Sequence, residues 1–222
     1  FSMAVGGRYI RSALRIPSGD SGDAKPASTF AVDVAGYYES EEIAFNEFNG
    51  RFRAGFNLQN MGPKIKYDAA ADENNANFLP ATMRLGGGFD FIFDEYNKVS
   101  LSLELTKLMV PTPPELQLAS SADLDGNGTI DTPEEVALET EINLNNSRKV
   151  TDYQKTNWVS GMFKSFNDAP DGFGEELKEI TYSLGAEYLY QDSFALRLGY
   201  FHESPSKGAR KFFSLGAGFK YN

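Results

Sequence analysis

Apolar and polar residues alternate with a period of two through most of this chain, a pattern that predicts strands. Eight segments carry it: 2–15, 29–38, 50–60, 81–93, 99–110, 179–190, 194–203 and 211–221. In the third, Phe52, Ala54, Phe56 and Leu58 share one face, while Arg51, Arg53, Asn57 and Gln59 share the other. In the fifth, Val99, Leu101, Leu103 and Leu105 oppose Ser100, Ser102, Glu104 and Thr106. The apolar face continues from segment to segment, and the opposite face carries charges and glycines. Several segments reach the roughly ten residues with which a tilted strand crosses a bilayer. Strands of a soluble sandwich alternate too, but are commonly only about five or six residues long.

Turn arithmetic predicts the pairing. A turn at Gln191-Asp192-Ser193 sets Tyr190 against Phe194, Tyr188 against Leu196, Ala186 against Leu198 and Leu184 against Tyr200. The other face then pairs Glu187 with Arg197 and Gly185 with Gly199. Likewise Asp94 is expected opposite Lys98 around Glu95-Tyr96-Asn97, with Phe93 beside Val99 and Phe91 beside Leu101. Both registers keep the apolar residues on one side, as they must when that side meets lipid or core.

Connections 16–28, 61–80, 111–178 and 204–210 are long and polar, whereas the fourth and sixth segments end in tight turns; 39–49 is a moderate exception. Outer-membrane barrels alternate short periplasmic turns with long extracellular loops. The expected fold is therefore all-β, a transmembrane antiparallel β-barrel with 111–178 outside the cell. The last segment then runs down to the periplasm, and its outward set is Phe213, Leu215, Ala217, Phe219 and Tyr221. An aromatic one residue from the terminus is similar to the closing strand that outer-membrane assembly machinery recognises. The opening FSMAVGG already reads as strand, without an initiator Met or a signal peptide, so the chain is expected to be a piece of a longer one.

Composition removes alternatives. Hydrophobic residues make up 41% of the 222 and the mean hydropathy is -0.39. No run approaches the roughly eighteen apolar residues of a membrane helix, whereas an alternating barrel averages out as mildly hydrophilic. Absent cysteine excludes a disulfide scaffold and thiolate chemistry, and one histidine leaves little room for imidazole chemistry. A net charge of -10 argues against a nucleic-acid partner, which needs a basic face. The charge is concentrated: 111–178 holds 13 acidic and 5 basic residues, -8 of the -10.

Within that connection stands DLDGNGTIDTPEE, whose residues 123–134 form an EF-hand-like segment that satisfies D-x-[DN]-x-[DN]-G-x5-E. Asp123, Asp125 and Asn127 take the first, third and fifth positions, and Gly128 the sharp turn. Thr129 offers its carbonyl, Asp131 takes the ninth place and Glu134 the bidentate twelfth. Hard cations take about six to eight oxygens, so Ca²⁺ is the expected structural ion, at the weak end near 10⁻⁴ to 10⁻³ M. TPEEVALETEI is expected to leave the loop as a helix, with Asp131 as cap and Glu134 three residues on.

No catalytic constellation accompanies it. His202 shares a face with Phe194, Leu196, Leu198 and Tyr200 and reads as an interfacial aromatic-belt residue. Its neighbours Glu203 and Ser204 form no recognisable nucleophile relay. The glycines of RLGGGFD lie within a strand, with no helix after them to hold a phosphate. Glu187 with Arg197 reads as a lumen-filling ion pair.

Beyond these patterns, the closing stretch YSLGAEYLYQDSFALRLGYFHESPSKGARKFFSLGAGFKYN resembles the PorV (LptO) family of the Bacteroidetes type IX secretion system. STFAVDVAGYY, FNLQNMGPKI, LPATMRLGGGFDF and SFNDAPDGFGEELKEITY extend the resemblance upstream. It implies a FadL-type outer-membrane barrel without a reaction of its own, of which this chain supplies about eight strands. It implies a shuttle that receives cargo through C-terminal signal domains at the SprA translocon and delivers it to the attachment complex with the PorU sortase. The wall would meet outer-membrane lipid. Members carry a signal peptide and further strands before the position of Phe1, and the EF-hand-like segment is no family motif. The family has also been linked to lipid A deacylation, but no residue here identifies a site for it. The rival readings are a FadL-like channel for small hydrophobic molecules and a lipid hydrolase centred on His202.

Overall fold

The computed structural model describes residues 1–13, 26–67 and 76–220. Its frame is one antiparallel sheet in the order β1-β2-β4-β5-β6-β7-β8-β9, with the short β3 paired to β4. The strands are β1 (Ser2–Ser12), β2 (Ala27–Glu39), β3 (Ile43–Ala44), β4 (Asn49–Met61), β5 (Thr82–Ile92), β6 (Asn97–Leu108), β7 (Thr181–Tyr190), β8 (Phe194–His202) and β9 (Lys211–Phe219). All eight expected segments are strands. The expected ends at Arg15 and Tyr221 lie outside the described residues, as do most of connection 16–28 and part of 61–80. Leaving β3 aside, each strand pairs with its neighbour in the chain, and β1–β2, β4–β5, β6–β7 and β8–β9 are joined at one end by the long connections. β1 and β9 are the edges, neither with a partner on its outer side among the described residues, so the sheet is open.

The β7–β8 register is the expected one, from Tyr190↔Phe194 to Leu184↔Tyr200. The β5–β6 register differs by two residues: Phe91 lies opposite Val99 and Phe89 opposite Leu101. Asp94 is responsible, because its carboxylate accepts from the amides of Tyr96 and Asn97, both at 2.7 Å, and so belongs to the turn rather than the strand. A slip of two leaves every side chain on its expected face. The 39–49 connection folds back as β3, and Phe45 and Phe89 close over Gly50; a Cβ there would sit 2.6 Å from the Phe45 ring.

The two faces differ as the alternation requires. Leu103, Leu198, Phe213 and Leu215 all stand exposed on one, the last two at 83%. So continuous an apolar surface exceeds what soluble monomers leave in water. The other face carries cross-strand ion pairs, Arg8–Asp33, Arg53–Asp90 and Arg197–Glu187. No described helix is long and apolar enough to cross a membrane.

At the long-connection end the chain folds back on itself. A bulge where β2 meets β4, with Asn60 at φ 58°, is held by Asp33 accepting from the Asn60 amide at 2.8 Å. It turns Gly62 so close to the Phe30 carbonyl that any side chain would collide. The β4–β5 connection then crosses the polar face of β1–β2, where Ile65 and Leu79 bury Ala27 and Ala31. Thr29 donates to the Pro63 carbonyl at 3.2 Å and Tyr67 to Ser12 at 3.1 Å.

Between β6 and β7 rises a helical cap: a 3₁₀ turn (Ala119–Ala122), α1 (Pro133–Lys155), α2 (Trp158–Lys164) and α3 (Phe173–Lys178). Only Glu135 and Ile142 of α1 are buried, so packing contributes little to it. Its ends compensate, with acids in the first turn and Lys155 in the last opposing the helix dipole. Its C-terminal turn rests on the β4–β5 connection, where Lys64 donates to the Gln154 carbonyl at 2.6 Å and Phe78 meets Tyr153 at 5.5 Å.

Candidate functional site at the long-connection end

The acidic loop ahead of α1 is built by side-chain oxygens taking up backbone amides. Asp123 accepts from Gly126 and Gly128, both at 2.8 Å, which the positive φ of both glycines permits. Asp125 accepts from the Asn127 amide at 3.0 Å and Asn127 from the Thr129 amide at 2.7 Å. The Thr129 hydroxyl donates to Asp131 at 3.0 Å. The loop therefore folds through its own Asp and Asn side chains, each taking up amides two to five residues on.

The helix start corrects the expected cap. Thr132, not Asp131, is the N-cap, and Pro133 follows at the first helical position. Glu135 is then the third helical residue and completes a capping box with Thr132. Its carboxylate accepts from Leu124 at 2.9 Å, Thr132 at 3.0 Å, Asp131 at 3.2 Å and Asp125 at 3.4 Å, and only 1% of the residue is exposed. Those bonds, first that from the Thr132 amide, hold its pKa at about 2. Carboxylate oxygens of Asp123, Asp125 and Glu135 lie within 4.8 Å of one another. Glu134 is exposed, one helical position away. An all-oxygen set of this kind suits a hard cation. Sequence spacing pointed to Glu134; Glu135 escaped it because the register of the helix start is set by Thr132 and Pro133 together.

His202 is half-buried, stacked on Tyr182 at 4.5 Å, with the Tyr200 hydroxyl 3.3 Å from Nδ1. Glu203 is committed to Arg210 through two bonds of 2.7 and 2.9 Å, and the Ser204 hydroxyl lies 3.1 Å from that of Ser206. The His202 contacts are with aromatic rings, and those of Glu203 and Ser204 lie elsewhere. No relay of serine, histidine and acid forms among them.

Two hollows open on the polar face. One of 420 Å³ has a floor of Gly55, Gly86, Gly88 and Gly185 beside Arg53 and Glu104. The other, 670 Å³, lies at the rim between Thr82, Arg84 and Thr106 of the sheet and Glu179, Lys207 and Arg210 above them.

A family model described as type IX secretion system protein PorV matches residues 1–115, just over half of the chain. The matched stretch holds β1 to β6 and stops before the acidic loop. No curated protein matches the chain.

Proposed function

The chain belongs to the PorV family of type IX secretion system proteins, and from that premise we propose that it is a non-enzymatic outer-membrane shuttle. It binds the C-terminal signal domains of cargo at the SprA translocon and passes them to the attachment complex containing the PorU sortase. The observation that carries this reading is the asymmetry of the sheet's two ends, tight turns at one and a folded polar cap at the other. A surface of that kind suits docking. The apolar face meets outer-membrane lipid, and the sheet forms part of a larger FadL-like barrel whose further strands pair the outer edges of β1 and β9, since a bilayer offers no water to satisfy them. The 111–178 connection stands outside the cell.

The rival FadL-like channel draws support from the 420 Å³ hollow. Against it, the β4–β5 connection lies across the polar face of β1–β2, where a conduit needs clearance. Pull-down from detergent extracts separates the two. A shuttle brings cargo or translocon with it; recovery of the chain alone under conditions that keep the translocon intact refutes the shuttle.

In the same reading one Ca²⁺ is held by Asp123, Asp125, Asn127, the Thr129 carbonyl, Asp131 and Glu134, with Glu135 the competitor for the bidentate place. The ion stiffens the loop, so a partner meets an already ordered surface and less ordering entropy remains to be lost on binding.

A further inference from the structure

By register Lys107 belongs to the apolar face of β6, two residues beyond Leu105, yet only 4% of its side chain is exposed. A lysine is that deeply buried only when its charge is met. Its Nζ lies 2.6 Å from Glu179 and 3.2 Å from Glu176, with the Phe166 ring centre 5.7 Å away. The second oxygen of Glu179 accepts from Lys207 at 3.0 Å, and Lys207 also donates to Glu175 at 2.7 Å. Three carboxylates and two ammonium groups thus join β6, α3 with its C-cap Glu179, and the β8–β9 connection.

Two of those carboxylates also fold the segment ahead of α3. Glu176 accepts from the amides of Asp168 and Ala169 at 2.7 and 2.8 Å, and Glu175 from that of Asp171 at 3.0 Å. Docking and local folding are therefore coupled through the same oxygens. Lys207 is presented firmly, because Glu203 grips Arg210 in a two-bond fork across its connection. The Asp168 carboxylate in turn accepts from the amide and hydroxyl of Thr112 at 2.9 and 3.0 Å, a contact that involves neither lysine of the cluster.

We propose that Lys107, Lys207, Glu175, Glu176 and Glu179 form an ionic latch that docks α3 on the rim, and that α3 with the 165–172 link lifts about the Thr112–Asp168 contact when the latch is neutralised. Glu179 and Lys207 line the 670 Å³ cavity, so release opens that cavity from above. Charge rather than apolar contact holds this part of the cap, while the wall keeps its own ladder of backbone bonds.

The titration runs in the matching direction. The hydrogen bond from Lys207 holds Glu175 below the usual carboxylate range. Burial opposes ionised Glu176, but the Ala169 amide, Lys107 and the Asp168 amide outweigh it and leave that group low as well. Lys207 is raised, chiefly by Glu175. Lys178, from α3 itself, is the further charge facing Glu175. Carboxylates depressed on docking stabilise the latch above their undocked pKa and cease to as pH falls through the docked values; the lysine contribution fails only in alkali. The latch therefore holds across neutral pH and opens in acid.

Hydrogen exchange on the purified chain in detergent tests this without cargo or translocon, so the result is independent of the shuttle reading. In Lys107→Gln the amides of 165–178 exchange on the order of a hundredfold faster, as breaking one side of a buried ion pair implies, while those of β5 to β8 stay as they were. Lys207→Gln, which removes the more exposed lysine, gives the same pattern at about tenfold and serves if the first variant does not fold. Unchanged exchange at 165–178 in the folded variants overturns the latch. So does acceleration that spreads equally into the strands, since the cluster would then brace the wall.

Discussion

The wall and the cap are held by opposite means. In the wall every inner strand is paired on both sides, and the large side chains Leu103, Leu198 and Phe213 face outward. Moving such a side chain from water into an apolar medium is worth about 1.5–3 kcal/mol each, so the lipid contact proposed above would stabilise the wall. In the cap the buried apolar residues are few and mostly small, Ala122, Ile142 and Ala169. There Glu135 accepts from four amides, and Glu176 and Asp123 from two each. A region organised by carboxylates responds to pH and to cations. The backbone ladder that joins the strands of the wall contains no titrating group. The comparison teaches that this chain can adjust its polar end without disturbing the hydrogen-bonded sheet beneath it.

The largest effect expected from this division is topological. A cysteine placed at Asn145 in α1 reacts with an impermeant maleimide on intact cells, and one placed at Tyr96 in the β5–β6 turn does not. The reverse pattern would put the cap in the periplasm and sink the proposed orientation. Next comes a charge on the lipid face. Leu103→Lys should cost about 2–4 kcal/mol, as lysine does near the middle of a barrel wall, and should abolish the heat-modifiable band on gels. Ser100→Lys should retain that band, because its neighbours across the polar face are Asp90 and Glu187. Equal tolerance of both changes would mean that the apolar face does not meet lipid.

Within the cap, Glu135→Gln should raise proteolysis of 123–131 severalfold even in EGTA, with wall migration unchanged. Glu134→Gln should raise it only at millimolar calcium. If neither the variants nor EGTA move the cleavage rate, the loop is not organised around these carboxylates. Because Glu135 is held at about 2, its contribution is complete above its ordinary value of 4.5 and is lost as pH falls from there towards 2. Protease resistance of the loop should follow that window at low ionic strength. The smallest effect is none: His202→Ala should leave secretion and lipid A acylation as they are, and altered acylation would revive a hydrolase centred there.

Strand positions and faces were legible in the sequence because alternation is a local property, visible in any ten residues such as Val99 to Leu108. The β7–β8 register was legible too, since a three-residue turn leaves it little freedom. That of β5–β6 was not, because Asp94 could continue the strand or accept the amides of Tyr96 and Asn97, and only the folded turn shows which bonds form. The acidic loop divides in the same way. The spacing of Asp123, Asp125 and Asn127 is visible in the sequence, whereas the approach of the buried Glu135 to Asp123 and Asp125 follows from where α1 begins.

What the sequence determines by itself, then, is the two-faced wall, the alternation of connection lengths and the acidic character of the longest one, since each rests on neighbours within a few residues. The tertiary structure decides the rest. It sets Lys107 against Glu176 and Glu179, some seventy positions along the chain, at 3.2 and 2.6 Å. It also lays Ile65 and Leu79 over Ala27 and Ala31. Neither contact leaves a local signature, because a lysine near the end of a strand and an alanine within one suit many environments. Their burial is settled only when distant segments close over them.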